Sequence, residues 1–94
     1  GSGKISIHPN FPNPFNPITT LHYDLPKDAM IRLAVYDITG REIKMLVHSK
    51  QTAGAKSIQW NGTNNAGELV SAGLYLYTIE SGKYHKTRKM VLLK

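Results

Sequence analysis

Histidines, carboxylates and serines are the side chains of this 94-residue sequence that could act in catalysis or hold a metal ion. The four histidines fall on four different predicted elements, at His8, His22, His48 and His85. No two of them have the spacing that zinc sites use. The six carboxylates include no pair whose spacing indicates acid–base catalysis, and no serine lies in a glycine-flanked nucleophile turn. We therefore predict that the domain is not an enzyme, and we assign no cofactor and no metal-ligating residue from the sequence.

Three aromatic residues offer a different chemistry, because exposed rings on one strand face can stack against sugars. Trp60 ends one predicted strand, and Tyr75 and Tyr77 alternate along another. Aromatic residues at alternate strand positions more often fill the core of a β-sandwich, where they bury a large area. The sequence favours the core position and leaves a carbohydrate-binding module as an alternative.

Positive charge is concentrated at the end of the chain, whose formal net charge is +6. Residues 83–94 contain no acidic side chain and five cations: Lys83, Lys86, Arg88, Lys89 and Lys94. Such a segment attracts polyanions and acidic protein surfaces over about 8 Å at physiological salt. The same charges could protect an exposed edge strand from pairing indiscriminately. No recognition helix or basic-aromatic motif accompanies them, so we expect no nucleic acid partner.

The elements that would position these residues are strands, since apolar and polar residues alternate with a period of two between glycine, proline and asparagine turns. We predict seven strands, at residues 5–7, 18–25, 30–36, 41–48, 56–60, 74–80 and 84–93. This pattern is typical of an all-β, two-sheet, antiparallel sandwich of the immunoglobulin-like kind. It would have no disulfide, because the chain has no cysteine. The longest apolar run, residues 90–93, is far shorter than the roughly 20 residues of a membrane-spanning helix.

Residues 8–17, which we call the strap, hold four of the five prolines. Proline fixes φ and lacks a backbone donor, so the strap can be neither a helix nor a central strand. We predict a stiff connection between the first two strands. Phe11 and Phe15 are the apolar side chains that could fasten it to the sandwich.

Several motifs then occur in an order that is not generic. They comprise Pro12, Asn13, Pro14, Phe15, Asn16 and Pro17 in the strap, then Tyr36, Asp37, Gly40, Arg41, Trp60, Gly62, Gly73 and Tyr75, and finally the segment 89–94. Together they resemble the type A carboxy-terminal sorting domain of bacterial type IX secretion. The resemblance covers nearly the whole chain after residues 1–3, which are typical of an expression-tag remnant.

The resemblance implies one β-sandwich over residues 4–94, a carboxy-terminal fragment of a larger exported protein whose cargo lies on the amino-terminal side. Its expected partners are proteins of the outer-membrane secretion and sortase machinery, met in the periplasm on the way to the cell surface or the medium. We expect a monomer without a transmembrane segment. The recognition signal of the family maps to the last strand, at Lys86, Arg88, Lys89, Met90, Val91, Leu92, Leu93 and Lys94.

A second family resemblance keeps an alternative function open. The same motifs resemble the immunoglobulin-like domain of flagellar hook-capping proteins, which would give the domain a role in subunit assembly. In the loop after Trp60, Asn61 and Asn64 replace the usual aspartates of the family. Amides are weaker calcium ligands than carboxylates, which weakens a calcium-binding interpretation of this loop.

For the last strand we favour recognition by strand addition, in which its backbone pairs with one dedicated receptor.

Overall fold

The computed structural model describes residues 4–93, so predictions about Gly1–Gly3 and Lys94 lie outside it. It contains seven strands: β1 (Ser6–Ile7), β2 (Thr19–Leu25), β3 (Ala29–Tyr36), β4 (Glu42–Gln51), β5 (Gly54–Trp60), β6 (Gly73–Ser81) and β7 (Tyr84–Leu92). Residues 4–93 include no helix. The predicted fold class is confirmed, and the boundaries differ from the predicted ones by one to three residues at most ends.

The strands form two antiparallel sheets that pack face to face. One sheet has the order β1-β2-β5, and the other has the order β4-β3-β6-β7. The chain changes sheet between β2 and β3, between β4 and β5, and between β5 and β6. Strand β7 therefore lies at one edge of the larger sheet, and the two-residue β1 is the corresponding edge of the smaller one.

Alternation along the strands fills the space between the sheets, as the sequence pattern predicts. Leu21, Tyr23 and Leu25 of β2 are all buried and belong to the core cluster. The predicted inward residues of β3 and β6 are also buried: Ile31, Leu33, Val35, Tyr75, Tyr77 and Ile79. Each fully buried side chain of this size contributes about 1.5–3 kcal/mol, so these layers supply much of the stability of the domain.

Strand β4 is the exception, because its pairing with β3 is irregular. Leu33 pairs with Val47 and Ala34 pairs with Met45, so Leu46 is an extra residue in the ladder. A second shift follows, because Val35 pairs with Lys44 and Tyr36 pairs with Glu42, which makes Ile43 another extra residue. A bulge of this kind reverses which side chains face the core. Ile43, Leu46 and Val47 pack against the core, whereas simple alternation would place Met45 there with Ile43 and Val47 and leave Leu46 outside.

The strap crosses the edge of both sheets. The ring of Phe15 is buried in the core, as predicted. The ring of Phe11 is 75% exposed, so the prediction that it fastens the strap is wrong. The backbone of Phe11 does so instead, because its N–H and C=O bond to Thr20 at 3.0 and 2.9 Å. The peptide bonds before Pro12, Pro14 and Pro17 are cis.

Candidate functional site

The basic end of the chain forms an edge strand, so its backbone has one side without a neighbouring strand. Strand β7 pairs with β6 in an unbroken register from Ser81 and Tyr84 to Gly73 and Leu92. Lys86 pairs with Ile79 and Arg88 with Tyr77, which places both cations on the core face of β7. Both side chains stay accessible because the edge strand of the opposite sheet, β1, is only two residues long. Lys89 projects from the outer face and is exposed.

The strap closes the terminal half of this edge. The N–H of Phe15 bonds to the C=O of Val91 at 3.0 Å, and the N–H of Leu93 bonds to the C=O of Phe15 at 2.8 Å. The N–H of Val91 bonds to Oδ1 of Asn13 at 3.0 Å. A short parallel pairing between Phe15 and Leu92 accompanies these bonds. The strap and the chain end therefore form one structural joint.

A buried hydroxyl holds the other end of the strap. Tyr77 donates to the C=O of His8 at 2.8 Å and accepts from the N–H of Asn10 at 2.9 Å. Burial raises the pKa of this hydroxyl above its usual value. Arg88 adds a contact between the sheets, because its Nε donates to the C=O of Ile7 at 2.8 Å. These bonds satisfy backbone groups that the proline-rich strap could not pair within itself.

The structure divides the predicted recognition residues into accessible and inaccessible ones. Lys86, Arg88 and Lys89 line the open side of the sandwich. Met90 and Leu92 are in the core, so a receptor cannot contact their side chains in the folded domain. Val91 is partly buried, and Leu93 is 48% exposed, although the apolar run 90–93 would suggest burial on both faces of the strand. Lys94 lies outside the described residues.

The aromatic residues form part of the core. The ring of Trp60 packs against Phe15 and Tyr75, with centroids 5.7 and 5.3 Å apart. Trp60, Tyr75 and Tyr77 are all buried, so the sugar-stacking platform that we kept as an alternative is wrong. Their polar atoms are satisfied internally, since Trp60 Nε1 donates to Thr63 and the Tyr75 hydroxyl donates to Ser71.

The Tyr36 to Arg41 motif is a turn between β3 and β4. Oδ1 of Asp37 accepts from the hydroxyl and N–H of Thr39 and from the N–H of Arg41. These bonds, the Thr39 hydroxyl above all, hold the pKa of Asp37 below its usual value. Gly40 has a φ of 89°, which side chains of L-residues rarely adopt. The motif residues here are structural.

The loop after Trp60 is organised by two amides. Oδ1 of Asn64 accepts from the N–H groups of Ala66 and Glu68, at 2.9 and 3.0 Å. Asn65 reaches β4, where its N–H donates to Ile43 and its Oδ1 accepts from the N–H of Met45. The side chain of Asn65 thus covers part of the β4 edge. The side chain of Asn64 therefore stabilises its own loop through these two hydrogen bonds.

Three polar side-chain contacts on the surface of the sandwich were not visible in the sequence. His8 and Asp24 bond at 2.6 Å, because the register of β1 with β2 brings them together. Arg32 contacts Glu42 at 2.6 Å and Glu80 at 3.1 Å. Within residues 4–93, no three histidine, cysteine, aspartate or glutamate side chains converge as a metal site would require. The same residues form no helix with the length and apolarity needed to cross a membrane.

Two antiparallel sheets, a core tryptophan and this strand order define an immunoglobulin-like β-sandwich. A sequence model of the FlgD Ig-like domain family matches residues 17–84. The chain therefore belongs to the FlgD Ig-like domain family. This confirms the relationship that the motifs indicated. A search of curated proteins gives no match.

Solved structures share the fold of nearly the whole chain. Latent dimeric PorU from Porphyromonas gingivalis matches with a TM-score of 0.74 and 23% identity, over 95% of this chain and 9% of PorU. PorZ, described as an essential surface component of the type IX secretion system of that organism, matches at 0.64 and 18%, over 95% of this chain and 12% of PorZ. FlgD from Xanthomonas campestris, whose structure is described as giving insights into the hook capping essential for flagellar assembly, matches with a TM-score of 0.64 and 18% identity. The match covers 93% of this chain and 64% of FlgD. This chain thus spans only about a tenth of PorU and PorZ.

Proposed function

We propose that this domain is the carboxy-terminal sorting module of a larger exported protein, which it directs through type IX secretion across the outer membrane. Its cargo lies in cis on the amino-terminal side. Its partners are protein components of the secretion and sortase machinery, first in the periplasm and then at the cell surface. The domain is a recognised substrate in this proposal, and it has no catalytic role.

The observation that carries the proposal is the joint between the strap and the end of β7. The sequence shared with the FlgD Ig-like family runs from residue 17 to residue 84. Apart from Pro17 and Tyr84, the strap precedes that region and β7 follows it. The two bind to each other through the Phe15, Val91 and Asn13 contacts. The joint presents the basic strand in a fixed position, as a signal read by a receptor requires. The likeness to PorU and PorZ supports the same context.

The non-catalytic role that we propose is supported by how four of the six carboxylates are used. Asp24 bonds to His8, Asp37 orders a turn, and Glu42 and Glu80 bond to Arg32. These contacts are on sheet surfaces and in turns. Asp37 also accepts from the Thr39 hydroxyl, but that bond orders the turn between β3 and β4.

A role in hook capping is the second candidate. The family match itself favours it, and FlgD from X. campestris shares the fold over 93% of this chain. The parent protein separates the two candidates. A long catalytic or adhesive region before this domain supports sorting, whereas a short flagellar assembly segment supports capping.

The test is to fuse residues 4–94 to a periplasmic reporter in a host with a working type IX system. We expect the reporter at the cell surface or in the medium. A Lys86→Glu/Lys89→Glu variant should be exported more slowly while remaining folded. Lys50→Glu/Lys56→Glu is the matched control, because it makes the same charge change on β4 and β5, away from β7. A protease-resistant, folded fusion that stays in the periplasm would refute the sorting role.

A further inference from the structure

The open side of the sandwich, between β1 and β7, is a continuous groove. Three adjoining cavities of about 250, 530 and 410 Å³ follow this side from one end of the domain to the strap. Ile5 and Tyr84 line both the first and the second cavity, and Arg88 lines both the second and the third. We call these three cavities together the edge groove.

Charge is segregated in the edge groove. Its lining contains five cations: Lys4, Lys27, Lys86 and Arg88, and, in the cavity beside the strap only, Lys89 from the outer face of β7. None of the six carboxylates of the chain, all of them within the described residues, lines it. Lys86 and Arg88 reach the groove from the core face of β7, where an apolar side chain would be expected in a closed sandwich. Such a surface attracts an anionic partner within about a Debye length, roughly 8 Å.

Beside the groove, every second residue of β7 directs its backbone N–H and C=O away from β6. The N–H and C=O of Val91 both point away from β6, since both bond to the strap. In an antiparallel ladder the residues that point outward alternate, and the β6–β7 register has no shift. The outward groups of His85, Thr87 and Lys89 therefore also point away from β6. Within residues 4–93 they meet no hydrogen-bond partner.

We propose that the edge groove binds an extended acidic polypeptide segment, which adds a strand to β7 beside residues 85–89 and directs carboxylates toward the cations of the groove. This inference rests on the proposed function, because it names the kind of partner that recognises the chain end. A strand of five residues spans about 17 Å. The strap limits how far the added strand can extend along β7, because Asn13 and Phe15 already bond to the backbone of Val91.

The open backbone favours a peptide over other anions. A sulfated or phosphorylated polysaccharide would gain from the cations but has no alternating donors and acceptors with a strand period. An extended peptide gains from both, because its N–H and C=O groups match the outward groups of β7. Alternate side chains of an added strand face the same side, so acidic residues at every second position fit the groove.

The binding test uses the full 94-residue chain and a fluorescein-labelled seven-residue peptide in which glutamate and valine alternate. We expect saturable binding at physiological salt that weakens as salt is raised. Amide NMR shifts should change at Thr87 and Lys89 and not at Gln59, on the far edge of the other sheet. No binding at a peptide concentration of about 1 mM, an affinity limit of roughly −4 kcal/mol, overturns the proposal.

Two variants separate backbone pairing from charge attraction. Thr87→Pro removes one outward N–H, and edge strands tolerate proline at such a position. Thr87→Ala keeps that N–H while losing the same hydroxyl contact with Thr78. We expect about tenfold weaker peptide binding for the proline variant than for the alanine variant. Lys86→Gln/Lys89→Gln leaves the backbone intact and should also weaken binding by about tenfold or more.

Dextran sulfate is the competing probe for a general polyanion site. If Thr87→Pro binds the peptide as well as Thr87→Ala does, and dextran sulfate displaces the peptide from both, strand addition is refuted. The assay is independent of the export test. Peptide binding by a domain that fails to export its reporter would leave the groove assignment standing and remove the sorting role. Export without peptide binding would do the reverse.

Discussion

Replacement of Phe15 by alanine tests whether the strap is part of the folding unit. The ring is 2% exposed, packs against Trp60 at 5.7 Å, and belongs to a residue whose backbone pairs with β7. Truncation of a buried phenylalanine costs about 3–5 kcal/mol, through lost burial and the cavity left behind. A domain of this size has a total stability of about 5–15 kcal/mol. Phe15→Ala should therefore lose a large part of the free energy of unfolding.

Phe11 is the matched control, since it is the same residue type in the same strap but 75% exposed. Phe11→Ala should change stability by about 0.5 kcal/mol or less. Urea unfolding followed by Trp60 fluorescence measures both. With a denaturant slope of about 1–3 kcal/mol per M, Phe15→Ala should lower the urea midpoint by at least about 1 M. Equal midpoints for the two variants would mean that the strap contributes nothing to the fold.

Tyr77→Phe should cost about 1–3 kcal/mol in urea unfolding, because it leaves the His8 carbonyl and the Asn10 N–H without their partner. The pKa of Tyr77 is raised by burial, so the unfolded chain loses its proton first and stability should fall above about pH 10, less steeply in the phenylalanine variant. The pKa of Asp37 is lowered, chiefly by Thr39, so its contribution to stability should be present above about pH 4 and be lost as the pH falls through the folded pKa. Asp37→Ala should flatten that acid limb in unfolding curves taken at successive pH values; an unchanged limb would contradict the assignment. Gly62→Ala should cost about 1–2 kcal/mol, because φ is +73° there although the added methyl would make only ordinary contacts with Leu92; an unchanged midpoint would refute this.

The seven strands could be predicted from the sequence because each depends on local information. Alternation of apolar residues identifies the buried face, and glycine or asparagine marks the turns. The core positions Leu33, Tyr77 and Trp60 follow from that pattern alone. The bulge at Leu46 could not be predicted in this way, since it depends on how β4 pairs with a different strand. One extra residue in a ladder leaves no signature in the alternation before it.

The candidate site was predictable in its charge and not in its geometry. The cluster of lysines and arginine near the end is plain in the sequence. That the strap occupies the edge at Val91, and thereby limits strand addition to residues 85–89, depends on contacts between residues almost 80 positions apart. Phe11 and Phe15 have the same residue type and nearly the same surroundings in sequence. Only the path of the strap over the sheet edge decides which ring is buried.

The arrangement of cations on β7 explains how an edge strand could be protected and still be recognised. Two copies of this domain that approached edge to edge would bring Lys86, Arg88 and Lys89 against the same residues, and like charges directly opposite are destabilising. An acidic strand meets no such repulsion, and its backbone can pair with the same open groups. The β7 backbone is the same in both cases, so the charge of the approaching strand decides which of the two partners pairs with it. Because the repulsion is screened, high salt should weaken discrimination against self-pairing as well as attraction of the acidic segment. The strap adds a second restriction, since it leaves only the basic half of the edge open, and no partner can pair there without contacting the cations.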